Sequence, residues 1–223
     1  MSHFTVMVIG ENPERQLEPF DENLETPRYI EYTKDQLIEK GRKDIEEYKN
    51  GIYAEYLSDK KAYCKNCKNS KHLDYLENEF PEHLKWDDQQ IYQNELKDYD
   101  PFQIGKDGEV YSEYNPNSKW DYYSLGGRWS GLIKLKEGRL GVSGEPGAFD
   151  NKTGIDQARK CDIANIDDIV TFALLKDGKW FERGKMGWWG IVIGENDEWD
   201  KEFKNFIKEL PDDTLISIYD CHI

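Results

Sequence analysis

The chain has 223 residues, 37% hydrophobic and 34% charged with 13% aromatic, enough for one full core and too apolar to stay unfolded throughout. Forty-five Asp and Glu against thirty Lys and Arg give a net charge of −15; such a surface repels phosphate backbones and disfavours direct nucleic-acid binding, and it serves solubility or imitates nucleic acid to occupy a protein partner. No apolar run approaches the roughly 20 residues of a membrane span, and Met1 to Ile9 carries no basic leader, so the expected setting is the cytoplasm, with four cysteines reduced or metal-bound and not paired in disulfides.

In chain order, His3 to Ile9 is apolar and β-branched enough for a buried strand, ended by Gly10-Glu11-Asn12-Pro13. Thr33-Lys34-Asp35-Gln36 has the pattern of a capping box and opens a helix carrying Leu37, Ile38, Ile45 and Tyr48, stopping near Gly51. From Ile52 to Tyr99 two or three short helices surround the Cys64 to Cys67 loop, a helical insertion at about 52–100 in a single α+β domain spanning 1–223. Gly108 to Tyr114 and the alternating Gly131 to Lys136 read as strands, and Gly138 to Gly154 as a long loop. Val170 to Leu175 and Trp180 to Glu182 flank Asp177-Gly178, a hairpin signal. Trp188 to Ile193 supplies a strand, Glu198 to Leu210 an amphipathic helix, and Leu215 to Tyr219 a last strand. Val8-Ile9-Gly10-Glu11-Asn12 recurs as Val192-Ile193-Gly194-Glu195-Asn196, a short echo of a strand and turn. The pieces predict an α+β fold with a largely antiparallel sheet and helices on one face.

The densest chemistry lies between Tyr114 and Trp129, where aromatic rings, Asp121, a Gly-Gly pair and Arg128 fall within sixteen residues. With Ser2-His3-Phe4-Thr5-Val6 and Val8-Ile9-Gly10, Asp156 to Lys160, the Thr171 to Gly190 stretch ending Met186-Gly187-Trp188-Trp189-Gly190, and the terminal Asp220-Cys221-His222-Ile223, the segment, continued to Gly131, resembles a family of proteins from tailed bacteriophages and from bacteria carrying mobile elements. The resemblance implies a phage or prophage origin and a part in the contest between phage and host. It implies no reaction.

Two readings of the aromatic segment stand side by side. In one, Arg128, Lys119, Arg159 and Lys160 converge on an anionic small molecule, Trp129, Tyr123, Trp120 and Trp189 stack on or wall it, and Asn115 and Asp121 fix the loop or read polar edges. The ligand is then nucleotide-like, and its use is to sequester an immune signal. In the other, Arg128 pairs with Asp121 to hold a turn while Trp120 and Trp129 fill the core.

If the first and last strands pair, His3 comes beside Asp220-Cys221-His222, assembling two imidazoles, a carboxylate and a thiol for metal binding or for acid–base work on a related ligand. Cys64-Lys65-Asn66-Cys67 has zinc-knuckle spacing with His72 as a third ligand, but a complete site must recruit His83, Cys161 or Cys221, and no cofactor is expected. There is no P-loop, no dinucleotide glycine motif, no H-E-x-x-H and no nucleophile elbow. A third reading needs no small-molecule site, only an acidic face that inhibits a host protein.

Overall fold

Seven residues without a break in β-propensity, HFTVMVI, form a strand that is buried from Phe4 to Ile9. A strand apolar on both faces must sit inside a sheet with cover above and below. The structure, a computed structural model, describes residues 2–147, 151, 153–186 and 191–223. Its elements are β1 (His3–Ile9), α1 (Pro13–Leu17), β2 (Tyr29–Tyr32), α2 (Lys34–Tyr48), α3 (Ala54–Ser58), α4 (Lys60–Asn66), α5 (Ser70–Asp74), α6 (Phe80–His83), α7 (Asp88–Glu95), β3 (Val110–Ser112), β4 (Tyr122–Leu125), β5 (Gln157–Arg159), β6 (Ala173–Lys176), β7 (Lys179–Glu182), β8 (Lys185–Met186), β9 (Val192–Ile193), α8 (Trp199–Lys208) and β10 (Leu215–His222). They form an α+β fold divided into two compact units, Met1–Thr26 with Tyr114–Ile223, and Pro27–Glu113.

The first unit is built on a six-stranded sheet in the order β4-β10-β1-β6-β7, with β5 also paired to β10. Every pairing is antiparallel except β1 with β6. Alternation along the strands sends Phe4, Val6, Val8, Tyr219 and Cys221 to one face and Met7, Ile9, Ile216 and Ile218 to the other. The second face is covered by α8 through Trp199, Phe203 and Ile207, spaced four apart so that they share one helix stripe. The first is covered by Leu17 of the short α1, Phe20 and Trp120. Helical cover is therefore heaviest on one face, as the pattern predicts, with a smaller lid on the other because β1 and β6 are apolar on both sides.

The Asp-Gly hairpin forms between β6 and β7, with Asp177 at φ 51° and Gly178 at φ 72°, the pair of left-handed residues that a tight two-residue turn needs. The alternating Gly131 to Lys136 segment does not become a strand. Ile133 and Leu135 make isolated bridges to Ile155 and Ile163, while the backbone N–H groups of Lys134 and Lys136 donate to Asn165 Oδ1 and Asp162 O, at 2.8 Å each. The apolar alternation is satisfied by burial of Ile133 without a ladder. The two copies of the Val-Ile-Gly-Glu-Asn echo each end a strand at a positive-φ glycine, Gly10 and Gly194, but β1 is central to the large sheet and β9 pairs with β8 in a separate two-stranded sheet among the described residues. Trp188 lies outside the described residues.

In the second unit Thr33 and Gln36 bond reciprocally as the predicted capping box. Helix α2 packs on α7 through Gly41, where a Cβ would stand 2.5 Å from Ile91, so only glycine allows the approach. Helix α7 carries its own capping box, Asp87 with Gln90. Because α2 packs against α7, the helical unit begins at Pro27, where the sequence pattern placed an insertion at about 52–100. Among the described residues no helix is long and apolar enough to cross a membrane.

Candidate functional site

Antiparallel pairing of β1 with β10 puts His3 opposite His222 and Thr5 opposite Asp220. Alternation points these side chains to the α8 face of the sheet, beyond the apolar stretch where Met7 meets Ile218 and Ile9 meets Ile216. His3 Nδ1 lies 2.8 Å from Asp220 Oδ1 and His222 Nδ1 lies 2.6 Å from Asp121 Oδ1. A carboxylate accepts, so each ring donates from Nδ1 and leaves Nε2 for exchange with the site. The two ring centroids are 4.8 Å apart at 67°. Both rings are mostly buried yet reachable, at 19% and 14% side-chain exposure. Two imidazoles, each fixed in tautomer and direction by its own carboxylate, thus stand side by side.

The Gly-Gly turn holds this pair in place. Asp220 gives its second oxygen, Oδ2, to the backbone N–H of Arg128 at 3.0 Å. That approach needs Gly127, which has φ +55° and whose added Cβ would sit 2.5 Å from Asp220 Cβ. One residue earlier, Gly126 leaves room for the carboxylate of Asp156. Asp156 is fully buried and accepts from Ser130 Oγ at 2.8 Å, Gly131 N at 2.7 Å and Gly144 N at 2.9 Å. The motif is therefore folded around two acidic side chains, one structural and one engaged with His3.

Asp121 also borders an open cleft of about 420 Å³ lined by Glu18, Asp21, Leu24, Trp120, Tyr122 and Tyr123. Its charged lining is acidic throughout. The Tyr123 phenol is pushed above its usual value by burial and then by Glu14 and Glu18. Cys221 is absent from this grouping: parity turns it to the opposite face, where it is fully buried and its thiol is raised well above the usual value by burial and by Asp220.

The basic residues named from the sequence are placed apart. Lys119 Nζ pairs with Glu182 Oε1 at 2.8 Å on β7. Arg159 ends β5 at the other edge of the sheet, four strand spacings or roughly 19 Å away. There Arg159 pairs with Glu11 and donates to Asp213 O at 2.9 Å. Lys160 Nζ reaches Leu210 O at 2.5 Å and Lys208 O at 3.4 Å, serving the carbonyl end of α8. Arg128 is exposed, and its backbone N–H donates to Asp220 Oδ2.

Among the aromatic and polar residues of the segment, Trp120 is core at 6% exposure, and Trp129 packs partly buried against the α8 cluster. Tyr123 stands edge-on to Trp120 at 4.8 Å. Asn115 is buried and ties the loop internally, donating to Pro19 O and Asp21 O and accepting from Asn117 N. Asp121 is engaged with His222. Trp189 lies outside the described residues.

In the helical unit Cys64 is exposed, the Cys67 thiol faces Asn69 O at 3.8 Å, and His72 Nε2 is 3.1 Å from Tyr63 Oη. Among the described residues no three His, Cys, Asp or Glu side chains are arranged to hold a metal ion.

Sequence reasoning named His3, Asp220 and His222 as neighbours but missed that Asp121, 101 residues from His222, completes the second pair. The cause lies in the strand pairing: β4 begins immediately after Asp121, and its pairing to β10 sets Tyr122 opposite His222. No family model, no curated protein and no solved structure matches this chain.

Proposed function

We propose that this protein is an acid–base enzyme acting on a small nucleotide-like ligand, with His3 and His222 as the proton-transfer groups and Asp220 and Asp121 as their orienting carboxylates. The observation that carries the reading is the pair of imidazoles 4.8 Å apart, each with Nδ1 bound to a carboxylate. A neutral ring takes a proton at Nε2 from an attacking water or hydroxyl. The other ring, protonated, gives its Nε2 proton to the leaving oxygen. Afterwards the two rings have exchanged charge, and proton exchange with water restores them. Each such transfer contributes about 10²–10⁴-fold.

The acidic cleft beside Asp121 suits the hydrogen-bond donors of a base or sugar, and a protonated imidazole is the group that meets phosphate. Separation of Lys119 from Arg159 and Lys160 favours turnover at the histidines over simple capture of an anion. Taken with the phage resemblance, the biological use is removal of a nucleotide-type immune signal.

The test is incubation with mononucleotides, linear dinucleotides and cyclic nucleotides, with products followed by chromatography and binding by calorimetry. Turnover is expected from the native chain and lost in His222→Gln while heat of binding persists. No product from any of these with folded protein removes the reading.

A further inference from the structure

The helical unit contains a cavity that proton transfer at the strand ends does not use. It measures about 250 Å³, and its walls include the rings of Tyr48, Tyr75, Phe80 and Trp86 with the carboxylates of Asp44 and Glu95. That volume is below the roughly 300–1,000 Å³ of pockets for drug-sized ligands, which limits the occupant to something small.

The rings are braced against one another. Tyr48 meets Tyr75 edge-on at 5.7 Å and Phe80 at 4.6 Å, and Trp86 lies on the ring of His83 at 3.7 Å. The backbone widens where these rings are placed. The helix after Tyr48 is kinked at Gly51, whose φ −96° and ψ −105° are not helical; a π turn, Tyr75–Glu79, begins with Tyr75 and is followed by Phe80. Such turns sacrifice regular helix geometry and occur often at functional sites.

Charge completes the description. Lys40 Nζ lies 2.5 Å from Glu95 and 3.4 Å from Asp44. Two carboxylates stand against the one ammonium of Lys40: Glu95, at 8% side-chain exposure, is paired with it, and the half-exposed Asp44 carries the charge left over. Burial holds the His83 imidazole below its usual value, so that ring adds no compensating charge at neutral pH.

We propose that this cavity binds a small organic cation, a quaternary or methylated ammonium, against its aromatic walls, with Asp44 and Glu95 supplying the counter-charge. Ring faces attract such a cation through their quadrupole, and methyl groups remove the strong hydration that keeps a bare ammonium in water.

The experiment uses the full chain, with choline as the probe and 3,3-dimethyl-1-butanol as its neutral isostere, at constant ionic strength. The Trp86 indole resonance, identified by its loss in Trp86→Phe, is followed in ¹H–¹⁵N spectra. Choline is expected to shift it saturably and to bind at least about fivefold more tightly than the isostere, the range a cation–ring contact supplies. Asp44 is half exposed, so Asp44→Asn leaves the fold intact and is expected to weaken choline by about threefold. Equal affinity for the neutral isostere, unchanged affinity in Asp44→Asn, or no saturable shift up to about 100 mM overturns the proposal. If Trp86→Phe fails to fold, the isostere comparison is read by calorimetry on the native chain, with the same outcomes.

Discussion

The turn from Gly126 to Gly131 and the paired ends of β1 and β10 make an instructive contrast. The turn has the richer composition, with two adjacent glycines, an arginine and a tryptophan, yet its glycines and backbone N–H groups are spent enclosing Asp156 and Asp220. The strand ends contribute two histidines near the termini, and pairing turns them into a matched set. Chemical density in a sequence marks where folding is demanding. Reactive geometry arises where the topology brings a few titratable groups together.

Replacing a ring at the strand end sharpens that contrast most. His3→Gln and His222→Gln are each expected to lower turnover by about 10²–10⁴-fold with little change in unfolding midpoint, because both rings are partly exposed and make one side-chain hydrogen bond each. Asp220→Asn and Asp121→Asn, which disturb tautomer and orientation, belong in the same range. Steady-state kinetics beside a urea titration checks this; a variant that loses stability and turnover in step reassigns these residues to scaffolding.

In the turn the effects reverse, falling on stability. Asp156→Ala leaves the Ser130 hydroxyl and two backbone N–H groups without their acceptor in a fully buried place, and about 3–5 kcal/mol should be lost in urea unfolding. Gly127→Ala combines a positive φ with a collision at Asp220 and should cost about 2–3 kcal/mol, lowering turnover as Asp220 moves away from His3. Gly138→Ala is the control, since Gly138 has φ +72° and open space around it; strain alone should cost about 1 kcal/mol. If Gly127→Ala and Gly138→Ala match, the close approach to Asp220 is unimportant.

Much of this fold is legible in the residues. HFTVMVI, the Thr33 to Gln36 cap, the Asp177-Gly178 turn and the amphipathic run from Trp199 each carry a local cause that nothing distant overrides. Strands β4 and β5 are harder to see because they are short and exist through their pairing with β10, a long-range event with no periodic trace of its own. The same applies to the site. His3 and His222 follow from asking which strands pair, whereas Asp121 requires knowing that β4 lies beyond β10. The partners of the basic residues are equally hidden in the sequence, where Lys and Arg near glycines look available: Glu182 for Lys119, Glu11 for Arg159 and the end of α8 for Lys160.

The smallest effect separates the strand-end rings from His83, whose Nδ1 faces a phenol, Tyr75 Oη at 3.2 Å, in place of a carboxylate. Burial lowers the His83 value from its ordinary 6.5, with Glu79 opposing and Lys97 assisting. Between the lowered value and 6.5 the unfolded chain holds a proton that the folded chain does not, so stability rises with pH across that window. The contribution is complete above 6.5 and is lost as pH falls. In His83→Gln that slope disappears, so the stability difference between native and variant should grow with pH up to about 6.5 and then level off. Urea midpoints from pH 5 to about 8 measure it. A difference that shrinks as pH rises would mean that His83 folds as the cation and that burial does not govern its charge.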